Sequence, residues 1–251
     1  MTKNQTIVIT GAAKGIGAAC AQKFMMTDAN VALLDIDEKV PEFLSEKCYY
    51  IHCDVSQEEN VREAMEKVYQ KFGGIDILVN NAGIQRYGTV TETSLADWDL
   101  VFNVNLKSQF LCAKYAIPYM LESGNGVIIN MSSVQAFLSQ ANVAAYTTAK
   151  TAILGLTRSI AIDYAPKIRC VAVCPGTIDT PMLRDAFDLS PHPEEVLQEC
   201  IDMHLMARIG TAEEVADLVV FLCDKKAAFI TGQAIRIDGG LGITIAGSKR
   251  D

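Results

Sequence analysis

Short apolar runs alternate with longer amphipathic stretches along almost the whole chain. A short run that is hydrophobic at nearly every position is typical of a strand covered on both faces in a parallel sheet. The pattern predicts strands at Thr6–Thr10, Val31–Leu34, Tyr49–Cys53, Ile75–Val79, Val127–Met131, Ile168–Val173 and Ala234–Ile237. It also predicts helices near residues 15–27, 57–72, 95–121, 143–164, 195–206 and 212–223.

The alternation of strands and helices predicts right-handed βαβ units. We therefore expect an α/β fold, a Rossmann-type doubly wound parallel sheet of about seven strands with helices on both faces. No internal repeat or linker divides the chain, so residues 1–251 are interpreted as a single domain. Residues 182–210 fit the alternation worst, and residues 248–251 are expected to form a frayed tail.

Composition and charge exclude several classes of partner. Half of the 251 residues are hydrophobic, the formal net charge is −8, and Lys and Arg form no run, which argues against nucleic acid or an anionic membrane. The eight cysteines form no CxxC pair, and with three scattered histidines they predict no metal site. No apolar segment reaches the length of a membrane span. A reducing cytoplasm is the expected location.

The turn after the first strand, Thr10–Gly17, is rich in glycine. Glycines at 11, 15 and 17 would let the backbone turn tightly and let a pyrophosphate approach the helix N-terminus. The spacing is GxxxGxG, which matches the usual GxGxxG fingerprint only loosely. A tight strand–helix turn without a ligand is the alternative.

Asp35 ends the second predicted strand, where a carboxylate can accept hydrogen bonds from both ribose hydroxyls of an adenosine. The same carboxylate would repel a 2′-phosphate by up to roughly 4 kcal/mol at 4 Å. The position therefore favours NAD over NADP. Lys14 could hold a 2′-phosphate, or it is a solvated turn lysine. Asp54, after the third strand, is placed either to touch the adenine edge or to cap a helix.

Small and polar residues follow three further strands, at the edge where open α/β sheets bind ligands. Asn80–Gly83 suits a backbone that lies against a cofactor, and a plain turn would have the same composition. Ser133 lies at the end of the fifth strand, where it is either a site residue or a helix cap. Pro175–Thr180 reads as a sharp turn, and the Thr180 hydroxyl could bond a carboxamide or cap a helix.

Tyr146 and Lys150 are four residues apart in a predicted helix and so share one face. An ammonium about 4 Å from a phenolate, at a dielectric near 20, stabilises it by roughly 4 kcal/mol, or about three pKa units. We therefore expect Lys150 to lower the tyrosine pKa into the range of proton transfer with an alcohol. A chance pairing at helical spacing is the alternative. Asn105 stands inside another apolar helical pattern, where its role is either functional or a helix kink.

Taken together, these motifs resemble the short-chain dehydrogenase/reductase family, and the resemblance extends over about residues 5–242. The matching segments, in family order and spacing, are TGAAKGIG at 10–17, NNAG at 80–83, Asn105, Ser133, YTTAK at 146–150, PGTIDT at 175–180 and Asp238–Gly240. The resemblance implies an NAD-dependent oxidoreductase that transfers hydride between NAD(H) and a secondary alcohol or ketone.

The resemblance also implies a role for each matching residue. Tyr146 would be the acid/base toward the substrate oxygen, and Ser133 would hold that oxygen as charge develops. Lys150 would lower the tyrosine pKa and bond the nicotinamide ribose, and Asn105 would fix a water that links Lys150 to solvent. The implied cofactor-binding residues are Gly11, Lys14, Gly15, Ile16, Gly17, Asp35, Asp54, Val55, Asn81, Ala82, Gly83, Tyr146, Lys150, Pro175, Gly176, Ile178 and Thr180.

Residues 182–210 occupy the place where the family keeps its substrate loop. Candidates for the pocket lining are Gln85, Arg86, Gln135, Gln140, Arg184 and His204. Of these, Gln135, Gln140 and Arg184 are assigned to substrate binding together with Ser133. Their polarity favours a sugar, polyol or hydroxy acid over a steroid or long acyl chain.

Two other functions remain open at this point. A 3-oxoacyl-carrier-protein reductase resembles the same motifs, but would be expected to prefer NADPH and to carry a basic docking patch. A non-catalytic nucleotide-sensing or scaffold protein would usually have a damaged catalytic set, whereas here the set is complete. The family is usually tetrameric with 222 symmetry, so a homotetramer is expected.

Overall fold

A parallel sheet of seven strands forms the centre of the computed structural model, which describes residues 5–39, 41–42 and 46–243. The strands in this part of the chain are β1 (Thr6–Thr10), β2 (Asn30–Asp35), β3 (Cys48–His52), β4 (Ile77–Asn80), β5 (Gly126–Met131), β6 (Ile168–Pro175), β7 (Ile178–Asp179), β8 (Gly210–Thr211) and β9 (Ala234–Ile237). The sheet has the order β3-β2-β1-β4-β5-β6-β9, and β7 pairs with β8 separately. The predicted fold class is confirmed.

Helices cover both faces of the sheet. Their bounds are α1 (Gly15–Met25), α2 (Glu58–Phe72), α3 (Leu95–Phe102), α4 (Ser108–Ser123), α5 (Ala144–Tyr164), α6 (Pro181–Phe187), α7 (Pro193–Asp202) and α8 (Ala212–Cys223). None of the helices in the described ranges is long and apolar enough to cross a membrane.

Alternate side chains of each strand pack on opposite faces of the sheet, because successive side chains of a strand point in opposite directions. Ile7 and Ile9 of β1 join the core beneath α1 and α8, whereas Val8 between them joins the core beneath α2, α4 and α5. All three are fully buried. Burying such a side chain contributes about 1.5–3 kcal/mol, which explains why nearly every strand position is apolar.

The strand order reverses direction between β1 and β4, which are neighbours in space. Connections from these two strands leave on opposite faces and open a crevice at their carboxyl ends, where such sheets bind ligands. Thr10 and Asn80 stand at this edge of β1 and β4. The fold thus brings the glycine-rich turn and the later strand ends to one side of the sheet.

Two stretches differ from the sequence prediction. The predicted helix 95–121 is observed as continuous helical backbone from Leu95 to Ser123, with a π-helical turn at Asn103–Lys107 between α3 and α4 that was not predicted. The stretch 182–210 contains α6, which was not predicted, besides α7. The tail predicted at residues 248–251 lies outside the described residues.

Candidate active site

A single cavity of about 1190 Å³ runs along the carboxyl ends of the central strands. It begins at the glycine-rich turn, passes the ends of β2, β4 and β5, and ends beneath α6 and α7. Every predicted cofactor-binding residue except Gly17 lines it, as do Ser133, Gln135 and Gln140. The sequence-predicted residues therefore converge on one site.

The turn after β1 tolerates only glycine at two of its positions. Gly11 has φ +62°, and a Cβ there would lie 2.8 Å from the Ala82 Cα. A Cβ on Gly17 would lie 2.0 Å from the Gly11 carbonyl oxygen, so Gly17 acts behind the cavity wall by letting α1 pack against the turn. The result is a bare backbone cradle at the start of α1, which fits an approaching pyrophosphate.

Asn81 and Thr10 tie this cradle to the end of β4. The Thr10 hydroxyl accepts from the backbone N–H groups of Asn81 and Ala82, both at 3.0 Å. The Asn81 amide donates to the carbonyls of Thr10 and Gly11, also at 3.0 Å. Asn81 therefore fixes the shape of the glycine turn through its side chain and lines the cavity with its backbone.

Asp35 ends β2 with its carboxylate held by backbone. Its Oδ2 accepts from the Ala13 N–H at 2.8 Å, and its Oδ1 accepts from the Asp37 N–H at 3.1 Å. The side chain lines the cavity, in the position expected for a contact with the adenosine ribose. Lys14 lies 3.4 Å from the Asp37 carboxylate, so its charge is already partnered.

Asp54 and Thr180 both make local hydrogen bonds, and their contacts with a cofactor stay predictions. The Asp54 carboxylate accepts from the Ser56 N–H at 2.9 Å and also lines the cavity beside Val55, so it shapes the entry to α2 without being its N-cap. The Thr180 hydroxyl accepts from the Leu183 N–H at 3.4 Å and caps α6. Both side chains remain on the cavity wall.

Tyr146, Ser133 and Lys150 meet in the middle of the cavity. Ser133 hydrogen-bonds the phenol of Tyr146, and its own Oγ accepts from the Gln135 N–H at 3.1 Å. Lys150 Nζ donates to the Met131 carbonyl at 3.0 Å and lies 5.5 Å from the centre of the Tyr146 ring. A hydroxyl from the turn after β5 and a phenol and an amine from α5 thus line one cavity.

Burial dominates the ionisation of the two central groups. Burial raises the pKa of Tyr146 to about 12, against the lowering effect of the Ser133 hydrogen bond. Burial also lowers the pKa of Lys150 to about 8. The Lys150 amine donates to the Met131 carbonyl, and burial sets the direction of the tyrosine shift. The lowering of the tyrosine pKa by Lys150 stays a prediction.

Asn105 is fully buried in the π-helical turn and holds the segment after β4. Its Oδ1 accepts from the Ile84 N–H at 2.8 Å, and its Nδ2 donates to the Ile84 carbonyl at 2.9 Å. This pairing of side chain and backbone explains why an asparagine stands in an apolar pattern. The water-holding role implied by the family resemblance stays a prediction.

The far end of the cavity has one polar and one apolar wall. Gln85, Arg86, Gln135, Gln140 and Asn142 contribute to the polar wall. The opposite wall belongs to α6, α7 and their connection, and its side chains include Met182, Leu183, Phe187, Leu189 and Val196. The sequence prediction missed this apolar wall, although the apolar residues of α6 and α7 were readable.

Two predicted lining residues lie elsewhere. Arg184 is on the exposed side of α6, where its guanidinium makes two hydrogen bonds to the Asp179 carboxylate at 3.0 and 3.1 Å. His204 is buried behind the cavity wall, where Nε2 accepts from the Thr177 N–H at 3.2 Å and Nδ1 lies 2.6 Å from the Cys200 carbonyl. Neither side chain belongs to the cavity lining, because each is committed to a structural partner.

Comparison with known proteins agrees with this geometry. A family model described as enoyl-(acyl carrier protein) reductase matches residues 11–242. Dehydrogenase/reductase SDR family member 6 from Aquarana catesbeiana is 40% identical, over 94% of this chain and 96% of that protein. A 3-oxoacyl-acyl-carrier-protein reductase from Thermotoga maritima is 37% identical, over 95% of this chain and 98% of that protein.

A solved structure extends the likeness to three dimensions. Ligand-free aldohexose dehydrogenase from Thermoplasma acidophilum matches with a TM-score of 0.93 at 40% identity, over 99% of this chain and 98% of that one. The family model and these relatives each cover nearly all of the chain. The chain therefore belongs to the short-chain dehydrogenase/reductase family of oxidoreductases.

Proposed function

We propose that the protein transfers hydride between NAD(H) and a polar secondary alcohol or its ketone. The observation that carries the proposal is the convergence of Ser133, Tyr146 and Lys150 in one cavity with the glycine cradle and Asp35. The bare backbone at Gly11 fits a pyrophosphate, and the Asp35 carboxylate fits an adenosine ribose. When bound, the nicotinamide supplies the hydride chemistry at its C4.

The side chains of the site supply proton transfer, hydrogen bonds to the substrate oxygen and contacts with the cofactor. In reduction the phenol of Tyr146 gives its proton to the ketone oxygen. In oxidation its phenolate form, which the positive charge of the bound oxidised nicotinamide favours, takes the proton from the substrate hydroxyl. Ser133 Oγ holds the same oxygen while it carries partial negative charge. Lys150, fixed by the Met131 carbonyl, is placed to donate hydrogen bonds to the nicotinamide ribose beside the phenol.

A substrate panel tests the proposal directly. Sugars, polyols, hydroxy acids and apolar secondary alcohols are offered with NAD⁺ or NADP⁺, and reduced cofactor is followed at about 340 nm. We expect turnover of polar alcohols and a higher kcat/KM with NAD⁺. A preference for NADP⁺, or oxidation of apolar alcohols alone, would contradict it.

Replacing Asp35 by Asn is expected to raise the ratio of kcat/KM with NADP⁺ to that with NAD⁺ by at least about tenfold. The substitution removes the charge that faces a 2′-phosphate and weakens the bonds to the ribose hydroxyls. Asp54→Asn is the matched control, because both cofactors are identical at the adenine edge. If the kcat/KM ratio changed equally in Asp35→Asn and Asp54→Asn, Asp35 would not be the residue that discriminates between the two cofactors.

We also propose that the chain assembles as a homotetramer. Phe110 on α4 and Ile162 on α5 are 50% and 79% exposed, and exposed apolar residues of this size favour burial against a second copy. Light scattering should give four times the chain mass of 27.3 kDa. A monomer at micromolar concentration would contradict this assembly.

A further inference from the structure

The carboxamide of Gln135 is held in one orientation by helix α5. Thr147 Oγ1 donates to Gln135 Oε1 at 3.2 Å, and Ser139 Oγ lies 3.2 Å from Thr147 Oγ1. The Gln135 backbone N–H donates to Ser133 Oγ at 3.1 Å. Gln135 is thus fixed at both its backbone and its side chain, immediately beside the residues that hold the reacting oxygen.

This orientation decides what Gln135 offers to a ligand. With Oε1 bonded to Thr147, the Nε2 amide, which has two N–H donors, is the end left for the cavity. Nε2 makes no hydrogen bond to any other part of the chain that the structure describes. The Arg86 guanidinium also lines the cavity, but it is already paired, since it donates to the Gln85 carbonyl at 2.9 Å and lies 3.7 Å from the Asp97 carboxylate. Donor-only groups pair best with an acceptor-only group, and a carboxylate is the strongest of these.

The apolar side chains of α6 and its connection to α7 narrow the class of substrate further. Met182, Leu183, Phe187 and Leu189 offer no side-chain hydrogen bonds. A sugar or polyol carries a hydroxyl on almost every carbon, and its hydroxyls would find no side-chain partner among these residues. A short hydroxy acid confines its charge to one end and presents an alkyl end to the apolar wall.

We propose that the substrate is a short-chain hydroxy acid, or the matching oxo acid, whose carboxylate accepts hydrogen bonds from Gln135 Nε2. Thr147 is the positioning residue that fixes the amide. In oxidation the carbinol C–H bond breaks with its electron pair passing as hydride to NAD⁺, the hydroxyl proton goes to the phenolate form of Tyr146, which becomes the neutral phenol, and the C=O bond forms. The carboxylate is unchanged. This inference rests on the proposed function.

The role of Thr147 is tested by removing its hydroxyl. Thr147→Val keeps the shape and is expected to raise KM for hydroxy acids about tenfold, with kcat within about twofold, because the carboxylate lies away from the reacting bond. Thr147→Ser restores the hydroxyl and the low KM. Thr148→Val is the matched control, since the Thr148 hydroxyl donates to the Ala144 carbonyl at 2.7 Å outside the cavity. Equal KM values in Thr147→Val and wild type would overturn the positioning role.

The carboxylate contact is tested with Gln135→Glu and two matched substrates. Oxidation of 3-hydroxybutanoate is compared with that of its methyl ester, which keeps the alcohol and removes the charge. We expect the variant to lower kcat/KM for the acid about 100-fold more than for the ester, because two carboxylates would face each other. An equal loss for both substrates would overturn the contact.

The substrate panel distinguishes failure of the hydroxy-acid inference from failure of the proposed NAD-dependent function. Wild-type turnover of aldohexoses or polyols with NAD⁺, without turnover of any hydroxy acid, overturns this inference and leaves the proposed function standing. Absence of NAD-dependent turnover for every alcohol overturns both. Preference for hydroxy acids over their esters, lost in Gln135→Glu, supports both.

Discussion

Replacing Tyr146 by Phe is expected to lower kcat/KM about 10³-fold in both directions, while the affinity for NADH changes by less than about twofold. Phenylalanine keeps the ring and removes only the Oη that exchanges the substrate proton. Burial raises the pKa of Tyr146 to about 12, so the phenol is protonated at neutral pH and begins as an acid toward a ketone. Steady-state rates and a titration of NADH fluorescence give the two quantities.

A second phenol in the same cavity provides the control. Tyr87 lines the cavity and lies close enough to influence the Tyr146 ionisation, yet it is not hydrogen-bonded to Ser133. Tyr87→Phe should therefore lower kcat/KM far less than Tyr146→Phe does. A wild-type kcat in Tyr146→Phe would exclude its role in proton transfer, and loss of NADH binding would indicate a structural defect.

The layered fold could be predicted from the sequence because the local residue preferences of each segment agree with the element it forms. Thr6–Thr10 and Ala234–Ile237 match the observed strands at both ends, since β-branched and aliphatic runs bounded by glycine or polar residues leave little choice. The π-helical turn between α3 and α4 could not be predicted from the sequence. Asn105 marks it, but its reason is the pairing with the Ile84 backbone, a contact between distant segments.

The site was readable where residue type alone determines the role. Gly17 packs so close to the Gly11 carbonyl that any other residue would clash, and the Asp35 carboxylate at the end of β2 lines the cavity as predicted. Arg184 and Gln135 show the limit. Both are polar residues near the substrate end, and only three-dimensional neighbours decide that one pairs with Asp179 and the other lines the cavity.

Replacing Lys150 by Met is expected to abolish turnover and to stabilise the free protein by about 2 kcal/mol at pH 7. Burial lowers the pKa of Lys150 from 10.5 to about 8. Holding its charge in the folded state therefore costs about 3 kcal/mol, and the lost hydrogen bond to the Met131 carbonyl offsets about 1 kcal/mol. Urea unfolding of both proteins without cofactor, from pH 6 to about pH 11, measures the difference.

The sign follows from proton binding in the two states. Between pH 8 and 10.5 the unfolded chain holds the lysine proton and the folded chain has released it, so the contribution of Lys150 to the free energy of unfolding rises with pH. The stability advantage of Lys150→Met over wild type should shrink between pH 8 and 10.5.

Buried thiols such as Cys20 and Cys223, whose pKa values are raised, destabilise both proteins above about pH 9, so their effect cancels in the stability difference. Lys107→Met, which replaces an exposed lysine, is the matched control. If Lys150→Met were less stable than wild type at pH 7, the partners of the ammonium would more than offset the cost of its burial. Lys150 would then stabilise the fold in addition to its role in the reaction.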